Sequence, residues 1–565
     1  MELDESTDSV AGVPFRVEQD KMLPSTISLA AWCPTMDLLA LVTSDSQVIV
    51  HRLSWQQLLG KAQIPPSAVP ITALCWHPDG KSLVIGREDG ALIIYNVEDG
   101  GQLHAAEHLH DAAITSLHWV ASDAADGYSN RAKRLFPPLA PLPANAESFA
   151  FDHGASQSKR AAPEPRGLSV LVSGDCHGRI CLSAHGIFLL GRVQLRPEHL
   201  RLAETETAPG ADAQLRVTSL WMGKELQNLG VGVAVDRPED EARSPPLALV
   251  TVETPLLAAG RGELYALTQH CHAVTRLLDH ARGSLALVGQ HWEEGFGGLF
   301  DRLAGRLLEL LRVRDPGGGG LGFLTGTEDS EDEKAARDER LWKLARKDLV
   351  ALFSCGTMSD VLRQFMLREL QPPTARKLQR TLASTVAELI AVLEERVSAS
   401  VQLLCFHLSE LRGLARWTDR YARLGLTEPA LTTLIEDCQV LLTRVGDFRR
   451  AVDDAAVTFG AFIRWMLSVS VKMVPGGGGA ESEQNAQPIS AVDTRRIALF
   501  IRQDLGPSRL LQQLGTHLIC CSPLRSLSCQ IVWALARGQA APRRTRKARL
   551  RTRMSRRSSV PSRLW

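Results

Sequence analysis

The first third of the chain repeats itself. Ile27-Ser28-Leu29-Ala30-Ala31-Trp32-Cys33-Pro34 aligns with Ile71-Thr72-Ala73-Leu74-Cys75-Trp76-His77-Pro78 at an offset of 44, and Ile114-Thr115-Ser116-Leu117-His118-Trp119 follows at 43. The register persists past the tryptophans, with Asp45-Ser46 matching Asp89-Gly90 and Val48-Ile49-Val50-His51 matching Leu92-Ile93-Ile94-Tyr95. Each unit consists of short β-branched and aliphatic runs separated by turn dipeptides such as Asp79-Gly80, Asp89-Gly90 and Asp99-Gly100. A period of about 40–45 residues with several strands per unit is the signature of propeller blades, small sheets that bury their faces only against neighbours. A third unit is interrupted: a Pro/Ala/Ser-rich stretch follows Trp119, and strands resume at Leu168-Ser169-Val170-Leu171-Val172-Ser173-Gly174-Asp175, with His177-Gly178 as the next turn. The insertion, about residues 121–166, reads as disordered.

Near Thr254 the hydrophobic period changes from 2 to about 3.5. Thr254-Pro255 reads as an N-cap followed by a first-turn proline, and apolar residues recur at Leu264, Leu267, Cys271, Val274, Leu278 and Ala281. A second helix is predicted from Leu285 through Leu310, ending before Asp315-Pro316 and Gly317–Gly320, with an acidic linker from Thr325 to Lys334. Shorter helices are predicted around Leu341–Phe353 and Ser359–Leu370, stopping at Pro372-Pro373. Two long helices follow, one capped by Thr374 with its stripe running from Leu378 to Leu411, one capped by Thr427 with its stripe running from Leu431 to Val469. Helices of this length with single apolar stripes and short connections pack as an antiparallel bundle. The predicted fold class is therefore mixed all-β plus all-α: partial propeller blades over 1–250, a helical bundle over 252–475, and a linker and basic low-complexity tail over 476–565.

Charge is distributed unevenly. The whole chain of 565 residues holds 64 Lys+Arg against 63 Asp+Glu, yet from Leu505 onward there are 13 basic residues and no acidic one. The start, Met1–Val10, is acidic rather than basic and apolar, and the stretch from Ala461 to Val474 is short for a bilayer and contains Arg464, so neither secretion nor membrane insertion is expected. Eleven scattered cysteines without disulfide-scaffold spacing point to a reducing compartment, cytosol or nucleus.

No Walker loop, nucleophile elbow, zincin or kinase motif occurs, and Gly317–Gly320 and Gly476–Gly479 lack the Lys-Ser/Thr and helix that a phosphate cradle requires. Cys176, His177, Cys181 and His185 sit on one predicted turn and strand, which does not suit four tetrahedral zinc ligands. His104, His108 and His110 could share a surface, but Glu107 is misplaced for a zincin base. The reading is of no catalytic, metal or cofactor-binding residues and of no small-molecule substrate. Trp32 and Trp76 hold a fixed repeat position and read as blade packing rather than a ligand platform. In His407-Leu408-Ser409-Glu410-Leu411-Arg412-Gly413 the leucines continue the buried stripe, while Ser409, Glu410 and Arg412 face outward, either as a solvated face or as partner contacts. Arg543 to Arg557 could bind nucleic acid electrostatically or serve as an import signal, without aromatics for specific readout.

The Trp-x-Pro and Asp-Gly positions resemble those of WD repeats in divergent form, the terminal Trp-Asp being replaced by His51-Arg52 and Tyr95-Asn96. The blades followed by a bundle resemble the anaphase-promoting complex (cyclosome) subunit 4 family. The residues that carry the resemblance are Trp32-Cys33-Pro34, Trp76-His77-Pro78-Asp79-Gly80-Lys81, His291-Trp292-Glu293-Glu294, the run from Lys347-Asp348-Leu349 to Leu370, His407–Gly413 with Trp417, and Phe462-Ile463-Arg464-Trp465. The resemblance covers about residues 13–475. It implies a non-catalytic scaffold in a multi-subunit ubiquitin ligase that controls mitotic progression, partnered by the other subunits, in nucleus and cytoplasm. It also implies further blades after the bundle; nothing after Pro475 shows their alternating pattern, so the expectation is a chain lacking the C-terminal half of its propeller. A nucleic-acid-associated adaptor using the basic tail is the alternative.

Overall fold

Turn chemistry and alternation together cut the first third into sheets. The computed structural model describes residues 25–52, 57–59, 67–98, 100–107, 109–122, 135–142, 167–196, 214–236, 247–314, 331–421, 426–473 and 490–504. Gly80, Gly90 and Gly178 close tight turns at φ between +73° and +81°, backbone that side chains strain to adopt. The sheets are antiparallel: β1 (Ile27–Trp32), β2 (Leu38–Thr43), β3 (Val48–Arg52) and β4 (Gln57–Leu59); β5 (Ile71–Trp76), β6 (Ser82–Arg87), β7 (Leu92–Asn96) and β8 (Gln102–Ala106); β9 (Ile114–Ala121), β10 (Ser169–Asp175), β11 (Arg179–Ala184) and β12 (Phe188–Gln194); and β13 (Gln214–Met222), β14 (Asn228–Asp236) and β15 (Leu247–Glu253). In the interrupted unit β9 and β10 pair directly, Ala121 opposite Ser169 and Ser116 opposite Gly174.

Neighbouring blades lock through positions that the repeat sets. Thr72 Oγ1 donates to the Ile114 carbonyl of the next blade at 2.6 Å, and Thr115, at the same repeat position, donates to the Val217 carbonyl at 2.5 Å. Small residues on the second strands let the blades approach: a Cβ on Gly86 would lie 2.8 Å from Ile114, and one on Gly174 2.6 Å from Val217. Trp76 is buried and donates its indole N–H to the Ala31 carbonyl at 2.9 Å, as a packing role requires. Trp32, by contrast, is 60% exposed on the first blade.

The helices are α1 (Pro255–Ala259), α2 (Arg261–His291), α3 (Gly298–Arg314), α4 (Glu331–Cys355), α5 (Asp360–Arg368), α6 (Pro372–Val392), α7 (Ala399–Arg416), α8 (Thr418–Tyr421), α9 (Glu428–Met473) and α10 (Ala491–Leu499). A π-helical turn at Trp292–Gly297 joins α2 to α3, and another at Leu393–Ser398 joins α6 to α7, so each pair forms one long rod. The rods run antiparallel. Along α2, His270 meets His407, His280 meets Ser400 and His291 approaches Glu388; along α9, Glu428 meets Arg416, Arg449 meets Glu394 and Ser470 meets the Leu370 carbonyl. One apolar core joins them, including Leu278, Trp292, Leu349, Phe365, Leu404, Leu408, Phe448 and Met466. Part of α9 is apolar enough, at a mean hydropathy of 1.2, to cross a membrane by length and composition. Its buried positions, among them Leu434, Cys438, Leu441, Val445 and Val452, follow the helical period and are taken up by the bundle core.

Several sequence expectations change here. Thr254 makes no side-chain cap; its hydroxyl donates instead to the Leu226 carbonyl at 2.7 Å, tying the helix entrance to the fourth sheet. The two helices predicted over Leu264–Ala281 and Leu285–Leu310 are one rod, the interior Gly283 being tolerated within it. Helix α4 begins at Glu331, inside the stretch read as acidic linker. Pro372-Pro373 start α6 rather than stop its predecessor, and Thr374 lies within that helix, because the first-turn N–H groups that proline lacks have no intrahelical partner anyway. The short helical pattern that the sequence shows at Thr494–Leu505, within the segment assigned to linker and tail, is α10, which Ser490 caps, and the turn after it; what changes is that Ile497, Phe500 and Ile501 are buried in the bundle core. Within the insertion read as disordered, residues 135–142 lie against the bundle, with Leu139 and Leu142 packed on its core. The other parts of that insertion, 123–134 and 143–166, and the basic tail from 505 lie outside the described residues.

Candidate interaction surfaces

Of the histidines and cysteines singled out in the blades, His110, Cys181 and His185 are buried and make hydrogen-bond contacts within the fold. His110 is buried and bridges Asp175 Oδ2 at 3.0 Å and Ser173 Oγ at 2.7 Å, while Asp175 Oδ1 accepts from the backbone N–H groups of His177 and Arg179. Burial alone would raise the Asp175 pKa; the hydrogen bonds from His110 and from these amides hold it below its ordinary value. His104 lies in β8, where burial pushes it down to about 4, and His108 lies outside the described residues. Cys181 Sγ points to the Leu109 carbonyl and His185 points to a helix, so Cys176, His177, Cys181 and His185 do not converge. Among the described residues no group of three or more His, Cys, Asp or Glu could hold a metal ion.

His185 marks the junction of blades and bundle. Its Nδ1 lies 3.0 Å from Ser169 Oγ and its Nε2 3.2 Å from Thr268 Oγ1 on α2, while His77 of the second blade reaches the same Ser169 hydroxyl at 3.4 Å. Burial, with His272 and His77 nearby, pushes His185 down to about 3, so it is a neutral ring relaying hydrogen bonds. Leu264 and Tyr265, one turn before Thr268, are part of the core of the third and fourth sheets. Deeper in the bundle, His270 Nδ1 and His407 Nδ1 lie 3.0 Å apart. Two lone pairs or two N–H groups cannot face each other, so one ring donates and the other accepts. Burial pushes each down to about 4.

Ser409 and Gly413 are exposed, and Glu410 and Arg412 are half-buried. Ser409, Arg412, Gly413 and Arg416 recur at three- and four-residue spacing, one stripe along the outside of α7. The stripe ends at Trp417, whose indole is half exposed with the Arg420 guanidinium 4.5 Å over its ring. Arg420 also pairs with Glu263 at 3.6 Å, and Arg416 with Glu428 at 2.6 Å, so both cations are held in place at the bundle's end. A half-exposed indole stacked on a fixed guanidinium is the kind of anchor enriched at protein interfaces.

A second surface is the open face of the fourth sheet. Trp221, Leu247 and Leu249 are 64%, 74% and 81% exposed, around a middle strand of Gly230, Gly232 and Ala234. The Trp221 ring leans over Gly230 and the Ser219 hydroxyl over Gly232, a Cβ at Gly230 lying 3.2 Å from the ring and one at Gly232 closer still to the hydroxyl, and among the described residues no fourth strand pairs with β15. This face escaped the sequence reading because its alternation is that of every other blade; its exposure is decided by whether another element packs over it, not by the strand itself.

Stacked WD-like blades, three of four strands and one of three among the described residues, leading into a bundle of long antiparallel rods, with polar ties at the junction and anchors on the outside, define a protein of the repeat-propeller-and-bundle class. Comparison places it more narrowly. A family model for the anaphase-promoting complex subunit 4 WD40 domain matches residues 30–122, and one for anaphase-promoting complex, cyclosome, subunit 4 matches residues 248–474. Anaphase-promoting complex subunit 4 of Pongo abelii is 24% identical over 471 residues, covering 81% of this chain and 51% of that protein. That of Mus musculus is 24% identical over the same length, covering 52% of the relative, and that of Schizosaccharomyces pombe is 25% identical over 502 residues, covering 85% of this chain and 61% of the relative. The chain belongs to the anaphase-promoting complex subunit 4 family. It spans about half the length of the mammalian relatives it matches.

Proposed function

We propose that this chain is a non-catalytic scaffold subunit of the anaphase-promoting complex, a multi-subunit ubiquitin ligase that controls mitotic progression, and that it holds neighbouring subunits while catalysis resides elsewhere in the assembly. Its partners are the other subunits, in nucleus and cytoplasm; no small-molecule substrate, cofactor or membrane is involved. The observation that carries the reading is the ordered match of both family models to the blades and the bundle. The exposed Ser409 and the half-buried Glu410 and Arg412 of α7, near the Trp417–Arg420 stack, supply a surface of suitable chemistry.

Tagged chain purified from nuclease-treated extract should retain the other subunits, and deletion of 541–565 should leave that retention intact. The paired reversal Glu410→Arg with Arg412→Glu should release at least one subunit while leaving the helical spectrum unchanged. Full retention in the reversal variant would remove this surface from the interface. Loss of all subunits on nuclease treatment or on tail deletion would favour a nucleic-acid-associated adaptor instead.

A further inference from the structure

The segment Leu135-Phe136-Pro137-Pro138-Leu139-Ala140-Pro141-Leu142 belongs to the insertion between β9 and β10, yet it lies on two helices of the bundle. Its half-buried large apolar residues recur at a spacing of three. Phe136, Leu139 and Leu142, with Ala140, are half-buried, whereas Leu135, Pro137, Pro138 and Pro141 are exposed. A left-handed polyproline helix has three residues per turn, so every third side chain lies along one edge. Phe136, Leu139 and Leu142 have that spacing, and the prolines, which preset φ and restrict the residue before them, are exposed. The Phe136 ring packs edge-on against Phe406 of α7 with centroids 5.5 Å apart, and Leu139 and Leu142 pack on the bundle core. Between them the Ala140 carbonyl lies 2.9 Å from His280 Nε2 of α2, and the other ring nitrogen of His280 lies 2.7 Å from Ser400 Oγ of α7. A carbonyl only accepts, so Nε2 donates, and the Ser400 contact orients the ring for it. Three apolar contacts at period three and one backbone hydrogen bond from a fixed side chain are how grooves read proline-rich peptides.

We propose that the groove between α2 and α7 is a recognition site for a proline-rich extended peptide with apolar residues at every third position. Its ligand is this chain's own segment 135–142, a latch that ties the third blade to the bundle. Recognition here is separable from folding. The bundle core closes without the latch, the groove stays formed when the latch is removed, and the same peptide binds in trans. Because the latch is tethered on both sides, its local concentration is high, and an added peptide competes poorly while it is in place.

The test uses the full chain with residues 135–142 replaced by eight Gly/Ser residues, and a fluorescein-labelled peptide spanning 133–144. Anisotropy should show saturable binding to the replaced chain. Apparent affinity for the unaltered chain should be weaker by at least about tenfold, as a tethered competitor requires. The peptide with Phe136, Leu139 and Leu142 changed to Ala should not bind. His280→Gln in the replaced chain should weaken binding severalfold without altering the helical spectrum. A second variant, Leu139→Asp in the unaltered chain, should undock the latch in place and restore binding of the labelled peptide. Absence of saturable binding to a replaced chain with a native helical spectrum would overturn the proposal. So would loss of the helical spectrum in both variants, since the segment would then be an ordinary part of the bundle core.

Discussion

The His270–His407 pair makes stability depend on pH in a direction that the burial of the two rings fixes. Both rings are nearly inaccessible, 6% and 4% exposed, and each is pushed by burial from the ordinary 6.5 to about 4, the charge on one further disfavouring protonation of the other. The folded chain therefore holds both rings neutral while the unfolded chain protonates them, so stability is complete above the unfolded value and falls as pH drops from 6.5 toward 4. Going from pH 7 to pH 5.5, linkage for a group shifted from 6.5 to 4 amounts to roughly 1.2 kcal/mol, or about 2.5 kcal/mol for the pair. The perturbation is the double variant His270→Leu with His407→Leu, which removes both titrating rings and both polar ends of their contact. Urea titrations followed by helical circular dichroism at the two pH values give the comparison. The unaltered chain should lose about 2.5 kcal/mol more than the double variant does, while His407→Leu alone, which deletes the Nδ1 partner of His270, should already cost about 1–3 kcal/mol at pH 7. Equal losses for the unaltered chain and the double variant between pH 7 and 5.5 would refute the assignment of buried neutral rings.

Phe500→Ala should lower bundle stability by about 3–5 kcal/mol, read from the thermal midpoint, because the ring is 1% exposed and lies 5.2 Å from Phe462 and 6.2 Å from Phe459; an unchanged midpoint would mean that α10 is not part of the core. Gly174→Ala should destabilise the contact between the third and fourth sheets by about 1–3 kcal/mol, since its Cβ would lie 2.6 Å from Val217, whereas Gly191→Ala, with nothing within 4 Å, should be near neutral in the same urea titration; equal effects would refute the close-approach reading. Residues 1–250 expressed alone should aggregate, and Leu249→Lys should reduce light scattering by that fragment, because the open face exposes Trp221, Leu247 and Leu249 together. A monomeric, protease-resistant fragment without the substitution would show that this face needs no cover.

The parts of the fold that the sequence disclosed are those whose signal is periodic and local. The 44-residue offset placed Thr72 and Thr115 in equivalent positions, and the structure shows both hydroxyls reaching the next blade. The stripe from Leu431 to Val469 foretold a helix of 46 residues. Errors concentrate where a residue has two physical uses. Proline both ends helices and starts them, and at Pro372-Pro373 the second use applies because an extended Gln371 precedes. Threonine caps helices and also donates elsewhere, and Thr254 donates to Leu226. The segment 135–142 was hidden for a different reason. Its ordering depends on Phe406, Ser400 and His280, residues more than a hundred positions away, so its composition read as that of a free loop. The spacing of Phe136, Leu139 and Leu142 between prolines was the available signal, and a search for periods of two and 3.6 passes over a period of three.

Two ties on one helix determine how the halves of this protein act together. Thr268, which meets His185, and His280, which meets the Ala140 carbonyl, are twelve residues apart on α2, or about 18 Å along its axis. A single contact between two bodies leaves them free to pivot about it. Here the burial of Leu264 and Tyr265 in the sheet core beside the first contact opposes both pivot and sliding, whereas the second reaches the blade only through residues 123–134 and 143–166 and so adds a covalent connection rather than a second rigid contact. The third and fourth sheets are thus joined to α2 by the Thr268–His185 contact and the burial beside it. A surface that must engage several neighbours at once gains from such rigidity, because each contact made then costs less ordering for the next. Loosening that junction with Tyr265→Ala should therefore weaken simultaneous engagement of neighbours by the blades and the bundle more than it weakens either contact alone. Pairwise and combined pull-downs with the Tyr265→Ala variant can separate these effects, and equal weakening of both would show that the blades and the bundle act independently.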